Sequence, residues 1–458
     1  MSAFCIGNML GWTSPVQPLL ESGDPPVGEL PLSREQISWL GSINFIGAIL
    51  GTLFWGRLSD LLGRRMTAAV VALPFALGWI TVLAAQSVSW LYVGRLIVGI
   101  GCSGAMINSP MYVTEIAQDD IRGRLGSYLI TFLNAGCVFC YIIGSYLSFH
   151  VFTGICLSIP ILYSVLLIFV PESPVYLYTK NNREGAERSL LWYRGGDIVQ
   201  TEKEMALLSS RSVRKTVGIT ALWATKGTIK AMFLGFGFIM GQQLCGILAI
   251  LTYTVMIFKM SGHSMSPHLS AIIVGLLQLV SSFGSSMVVD KLGRRVLLFI
   301  SYLAMSISMF TLGWYFMDVG SRDPSLGWIP VISLSVHVVA YSVGAGPVPF
   351  IVMAETFPPE VRGTATSVIQ FLGTSLSFAT VKTFPLLISL LGTHGCFWVY
   401  GCACLFLVGF TILCVPETKG KPLNVILKKL NGEEDGVELQ TVAPKSTIVI
   451  TKMDSTKR

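Results

Sequence analysis

Apolar runs of about twenty residues, separated by short polar or Gly/Pro-bearing stretches, recur along most of the chain. The cleanest are Leu91–Met111, Val151–Val170, Val296–Met317 and Phe397–Val415. At 1.5 Å per residue, a twenty-residue helix crosses the roughly 30 Å hydrocarbon layer of a bilayer. Cutting at the charged and Pro/Gly breaks predicts about twelve such segments. They lie near 1–20, 38–56, 66–86, 91–111, 126–148 and 151–170, then 231–258, 269–289, 296–317, 329–353, 364–388 and 394–415. The pattern predicts an all-α membrane protein.

The polar positions repeat as well. Asp60-Leu61-Leu62-Gly63-Arg64-Arg65 is matched by Asp290-Lys291-Leu292-Gly293-Arg294-Arg295. Glu115 with Arg122-Gly123 is matched by Glu355 with Arg362-Gly363, and Pro171-Glu172-Ser173-Pro174 by Pro416-Glu417-Thr418-Lys419. Three ordered correspondences at nearly constant offset imply a duplicated unit, as transporters are commonly built. The expected organisation is a six-helix bundle over 1–170, a cytoplasmic helical linker over 171–230, a second six-helix bundle over 231–415 and a cytoplasmic tail over 416–458. Within the linker, Arg183–Arg194 has an apolar side. Thr201–Ser212 opens with a Thr-x-x-Glu capping box at Thr201 and Glu204. One short helix, Val425–Leu430, is expected in the tail.

Composition agrees with the bilayer. The chain is 52% hydrophobic and 12% charged, against roughly 25% charged in soluble domains, and its mean hydropathy is +0.66. Placing both termini in the cytoplasm puts 27 of 32 Lys+Arg on that side. The short loops holding Arg57, Arg64 and Arg65, and Lys291, Arg294 and Arg295, decide the orientation. The +7 charge is therefore read as topology rather than as a nucleic-acid footprint. Most of the ten cysteines fall inside spans, where they serve as small packing residues. Gly47-x-x-x-Gly51 and Gly237-x-x-x-Gly241 suit close helix contact. Gly99-Ile100-Gly101-Cys102-Ser103-Gly104 follows no strand, so it reads as helix packing and not as a dinucleotide loop.

Read as one set, these motifs resemble the sugar porter family of the major facilitator superfamily. The set runs from Gly56-Arg57-Leu58-Ser59-Asp60 and Gly94-Arg95 through Gln242-Gln243-Leu244-Cys245-Gly246-Ile247 and Gly344-Ala345-Gly346-Pro347-Val348-Pro349 to Pro416–Gly420. Leu32-Ser33, Ser38-Trp39 and Lys382-Thr383-Phe384 look most like the insect branch of facilitated trehalose transporters. The resemblance implies twelve transmembrane helices in two pseudo-repeats that alternate access to a sugar held between them, in the plasma membrane. It also implies a chain that works as a monomer.

It places the sugar mostly on helices 7, 8, 10 and 11, with help from helix 5. The implied partners are the amides of Gln242, Gln243 and Gln278, with Tyr253 at an outer gate and Tyr341 and Phe350 beside the broken helix 10. Thr374, Ser377, Thr131 and Asn134 are further hydroxyl or amide partners. Amides both donate to and accept from sugar hydroxyls, and polar groups inside a membrane need such a reason to be there. The chain departs from the hexose-carrier pattern at Ile130, Val175, Leu248, Ser342 and Phe350, so its pocket is less polar and the cargo stays open between trehalose and a hexose. On the cytoplasmic side, Glu115, Glu172, Glu355 and Glu417 with Arg57, Asp60, Arg64, Arg65, Arg122, Asp290, Arg294, Arg295 and Arg362 would form a gate that closes when the halves meet.

The first helix, Phe4–Pro18, carries no carboxylate, and Asn8 is its first amide. With no carboxylate or histidine counted inside a span to carry a proton, facilitated diffusion is the economical expectation. Proton symport and a non-transporting sugar sensor are the alternatives. No nucleotide-binding loop, His-Glu-x-x-His or nucleophile elbow is present. Neither an enzyme, a cofactor nor a metal site is expected.

Overall fold

The computed structural model describes residues 1–118, 121–210, 219–262, 265–318, 326–420 and 425–426. The side chains of Arg122 and Asp290, both expected in the gate, lie outside the described residues, as does most of the expected tail helix. In hydrocarbon a backbone amide has no water to bond, so spanning segments close their hydrogen bonds internally. The described residues accordingly form helices. They are α1 (Ser2–Gly11), α2 (Thr13–Leu20), α3 (Arg34–Thr52), α4 (Trp55–Leu62), α5 (Arg64–Leu83), α6 (Val88–Ile116), α7 (Arg122–Tyr146) and α8 (Phe149–Leu166). Three short helices follow: α9 (Pro174–Thr179), α10 (Arg183–Tyr193) and α11 (Ile198–Ser210). The remainder are α12 (Lys226–Leu244), α13 (Ile247–Met260), α14 (Pro267–Leu292), α15 (Arg294–Phe316), α16 (Ile329–Ala340), α17 (Val348–Thr356) and α18 (Pro359–Cys414).

Twelve spans emerge once the breaks are read. α1 and α2 meet at Trp12, which keeps right-handed helical backbone, and make one span. α3 and α4 join at a 49° bend. α12 and α13 share the seventh span, and α16 and α17 share the tenth through a π-helical turn at Tyr341–Ala345. The 56-residue α18 is far longer than one crossing, and Gly392 (φ 71°, ψ 169°) divides it into the eleventh and twelfth spans.

Local chemistry sets several starts. Ser33 and Gln36 form a reciprocal capping box for α3. Thr225 caps α12, and Ser173 caps α9 with Pro174 at its first position. The expected box at Thr201 is replaced: α11 starts at Ile198, Asp197 accepts the Gln200 amide at 2.9 Å, and Glu204 pairs with Arg194 instead. Thr201 therefore sits inside the helix, its hydroxyl donating to the Asp197 carbonyl.

The two halves meet along symmetric pairs, α3 against α18 and α7 against α14, with α2 against α13 beside them. Taking the side that carries Gly63 and Gly293 as the elbow side, the polar links between halves among the described residues run from mid-depth to the far side. Val255 donates its amide to Ser14 at 3.1 Å, Tyr141 its hydroxyl to the Leu251 carbonyl at 2.7 Å, and Ser145 lies 3.2 Å from His268 Nδ1. The molecule is thus closed on its far side.

Candidate functional site: buried amides and duplicated elbows

Each elbow is built by a glycine and a distant carboxylate. Gly63 (φ 94°, ψ 170°) and Gly293 (φ 86°, ψ 161°) adopt nearly the same backbone, one that side chains avoid. Their Hα faces are occupied: a methyl on Gly293 would lie 2.9 Å from Glu417 Oε2, and one on Gly63 would strike Glu172 Oε2. Glu172 accepts the backbone amides of Arg64 (2.8 Å), Arg65 (3.0 Å) and Ser173 (2.7 Å). Glu417 accepts those of Arg294 (3.1 Å), Arg295 (3.1 Å) and Lys419 (2.9 Å). Both carboxylates therefore cap the positive ends of α5 and α15, where an anion is stabilised. Burial alone would raise the Glu417 carboxyl, but amide donors from Lys419, Arg294, Arg295 and Thr418 outweigh it and hold the group below the usual carboxylate range.

The guanidinium groups take the other acids. Arg64 Nε donates to Glu115 at 2.9 Å and its Nη1 to the Ser59 carbonyl at 3.0 Å, with Asp60 at 3.3 Å. Arg294 pairs with Glu355 at 3.0 Å. Ser173 donates to Glu115 and Thr418 to Glu355, so the hydroxyl after each capping carboxylate completes the same design twice. Arg65 and Arg295 extend to the carbonyls of Leu167 and Ile412, Arg362 donates to Phe357, and Arg57 is exposed. Among the described residues these ion pairs lie within one half each.

The amides lie at mid-depth. Gln242, 3% exposed, donates to the carbonyls of Ala345 (3.0 Å) and Gly346 (2.7 Å), which the π turn of the tenth span frees. Gln278 Nε2 donates to Asn134 Oδ1 at 3.3 Å and links α14 to α7 across the halves. Gln243 is buried, with its Oε1 unpartnered, just before the seventh span breaks at Gly246 (φ 80°). Tyr253 sits at a second kink (φ −115°, ψ 20°), stacks on Phe384 at 5.1 Å and donates to the Val381 carbonyl. Tyr341 opens the π turn and is half-buried, while Phe350 is 41% exposed. Thr131, Thr374 and Ser377 donate to carbonyls of their own helices.

Two buried groups had been given no site role. Arg95 is 1% exposed in α6 and is held entirely by neutral partners: the Met9 carbonyl at 2.8 Å, Thr13 at 3.0 Å, Asn44 at 3.5 Å, and the Trp12 ring at 5.3 Å. A lone cation in the Leu91–Met111 apolar run was the available signal. His337 is fully buried in α16, which corrects the expectation of histidine-free spans.

The family described as "Sugar (and other) transporter" matches residues 12–429. A facilitated trehalose transporter of Apis mellifera ligustica is 36% identical over 94% of this chain and 86% of its own length. A namesake from Bombyx mori is 34% identical over 93% of this chain and 84% of its own. Among solved structures, the inward-open xylose transporter XylE of E. coli superposes with a TM-score of 0.78 at 25% identity, covering 94% of this chain and 98% of that one. The same transporter bound to a bromodeoxyglucose, titled a proton:xylose symporter, reaches 0.70 at 26% identity, covering 94% and 97%.

Proposed function

The chain belongs to the sugar transporter family, and on that premise we propose that it is a passive carrier of trehalose or a related sugar, working by alternating access. The observation that carries the reading is the mid-depth amide set. Gln278 and Asn134 join the halves directly, and Gln242 rests on carbonyls exposed by a broken span. Such groups exchange readily with hydroxyls, because an amide offers both donors and acceptors. A sugar entering from the elbow side would take over these hydrogen bonds as the halves, residues 1–170 and 231–415, rock about it.

The elbow side is assigned to the cytoplasm because the short basic loops lie there. With its far side sealed, the conformer then faces inward. Its greater likeness to the inward-open xylose transporter than to the sugar-analogue complex supports this assignment. We assign the carrier to the plasma membrane with the chain itself as the working unit, since one copy holds the whole amide path.

The neutral surroundings of Arg95 support the passive reading. Its partners are carbonyls, a hydroxyl, an amide and a ring, so no carboxylate in contact with it would gain or lose charge with a proton. The trehalose assignment rests on the names of the relatives. The test is uptake of labelled trehalose and glucose into proteoliposomes with and without an imposed pH gradient. Saturable equilibration, unaffected by the gradient, is expected. Accumulation above the external concentration under the gradient would establish symport instead.

A further inference from the structure

Among the described residues, the far-side seal contains a charged contact between the halves, at a residue given no individual role above. Lys382 lies in the eleventh span, ten residues before the turn at Gly392. Its ammonium donates to Ser38 Oγ at 2.7 Å and sits 4.1 Å from the centroid of the Trp39 ring. Ser38 gives its own proton to the Glu35 carbonyl at 3.0 Å, which leaves its oxygen free to accept. One helical turn before Lys382, Phe378 meets the same Trp39 ring at 6.0 Å. Residues 378 and 382 thus form a single face of α18 turned toward α3 of the opposite half.

The neighbouring face of that turn is engaged within its own half. The Val381 carbonyl accepts the Tyr253 hydroxyl, and Phe384 stacks on the Tyr253 ring at an interplanar angle of 10°. One short stretch of α18 therefore holds the kinked seventh span with one face and the other half of the molecule with the next. We propose that Lys382, seated against Ser38 and Trp39, is the latch that holds the far side closed, a positioning residue of the transport cycle. The proposal rests on the alternating-access reading, because only a molecule that opens outward must break this contact.

An ammonium in a partly desolvated site over an indole is well stabilised, while the elbow ion pairs Arg64–Glu115 and Arg294–Glu355 stay within their halves. The latch accordingly biases the equilibrium toward the inward-facing state, and its loss should raise the outward-facing population by about 2- to 30-fold. The reporter is Thr252→Cys. Thr252 is buried at the seal, and a methyl on Gly41 of α3 would lie 3.2 Å from its Cγ2.

The experiment is labelling of Thr252→Cys in intact cells by a membrane-impermeant maleimide applied from outside, with the chain that keeps Thr252 as blank. Lys382→Met and Trp39→Leu are each expected to speed labelling by that factor, with Lys382→Arg close to the parent. Combined, Lys382→Met and Trp39→Leu should exceed either alone by little, since both remove one contact. Trp39→Leu reads the latch from the opposite half should Lys382→Met fail to reach the surface. Labelling of both variants at the parental rate overturns the latch while leaving sugar transport intact. If the thiol introduced at position 252 stays sealed in every variant while sugar exchange proceeds, the alternating-access reading falls and the latch with it.

Discussion

At the scale of single residues, the proposed transport path rests on amides with partners that can be exchanged. Gln278→Leu removes the donor to Asn134 and strands a buried oxygen, at a cost of about 1–3 kcal/mol. The expected outcome is a loss of transport efficiency of roughly 5- to 100-fold with surface expression retained, read by initial-rate uptake of labelled sugar. Arg64→Ala leaves Glu115 without its guanidinium partner, and Arg294→Ala does the same to Glu355. Each is expected to slow transport while surface expression persists, and unchanged uptake would remove the elbow pairs from the cycle. Glu417 fixes a pH range. Its carboxyl is held below the usual value, so its capping of α15 is complete above the ordinary carboxylate range and is lost only as pH falls through the depressed value. Uptake should therefore be flat from about pH 6 to 8 as far as this elbow is concerned. Its decline should begin only once pH falls below the ordinary carboxylate range.

At the scale of elements, the duplicated elbow is the part most legible in the sequence. Repetition of Gly-Arg-Arg, Glu and Pro-Glu in the same order at nearly constant offset marked both copies, and Gly63 and Gly293 take nearly one backbone geometry. What repetition did not disclose is which acid meets which donor. Glu172 and Glu417 read as partners of arginine side chains, yet they seat on backbone amides, because a helix start exposes free N–H groups that no sequence pattern names. Thr201 failed as a cap for a related reason: Asp197, four residues earlier, offers an acceptor and lets the helix begin sooner. The cross-half contact of Lys382 was illegible because its contacts, a hydroxyl and an indole, lie 344 and 343 residues away in sequence. The elbow glycines give a direct check. Gly293→Ala places a methyl against Glu417 in a backbone region that costs about 1–3 kcal/mol for an L-residue. Lower thermal stability in detergent and slower transport are expected, with Gly284→Ala, where a methyl meets open space, as the neutral comparison.

At the scale of the whole molecule, the described residues of two similar halves are pinned together on one side by neutral hydrogen bonds, aromatic contacts and Lys382. On the other side the charged elbows are stabilised separately in each half. That asymmetry is what a two-state carrier needs: contacts of a few kcal/mol that are made in one state and broken in the other shift populations strongly, whereas contacts kept in both states shift nothing. The mid-depth amides lie between these two zones, where the proposed cycle would present them to a sugar from either side. The most direct test is counterflow. Proteoliposomes preloaded with unlabelled trehalose and diluted into labelled trehalose, with no ion or pH gradient, should show a saturable transient overshoot of label that collapses to equilibrium. Absence of any overshoot in vesicles that bind the sugar would contradict the account.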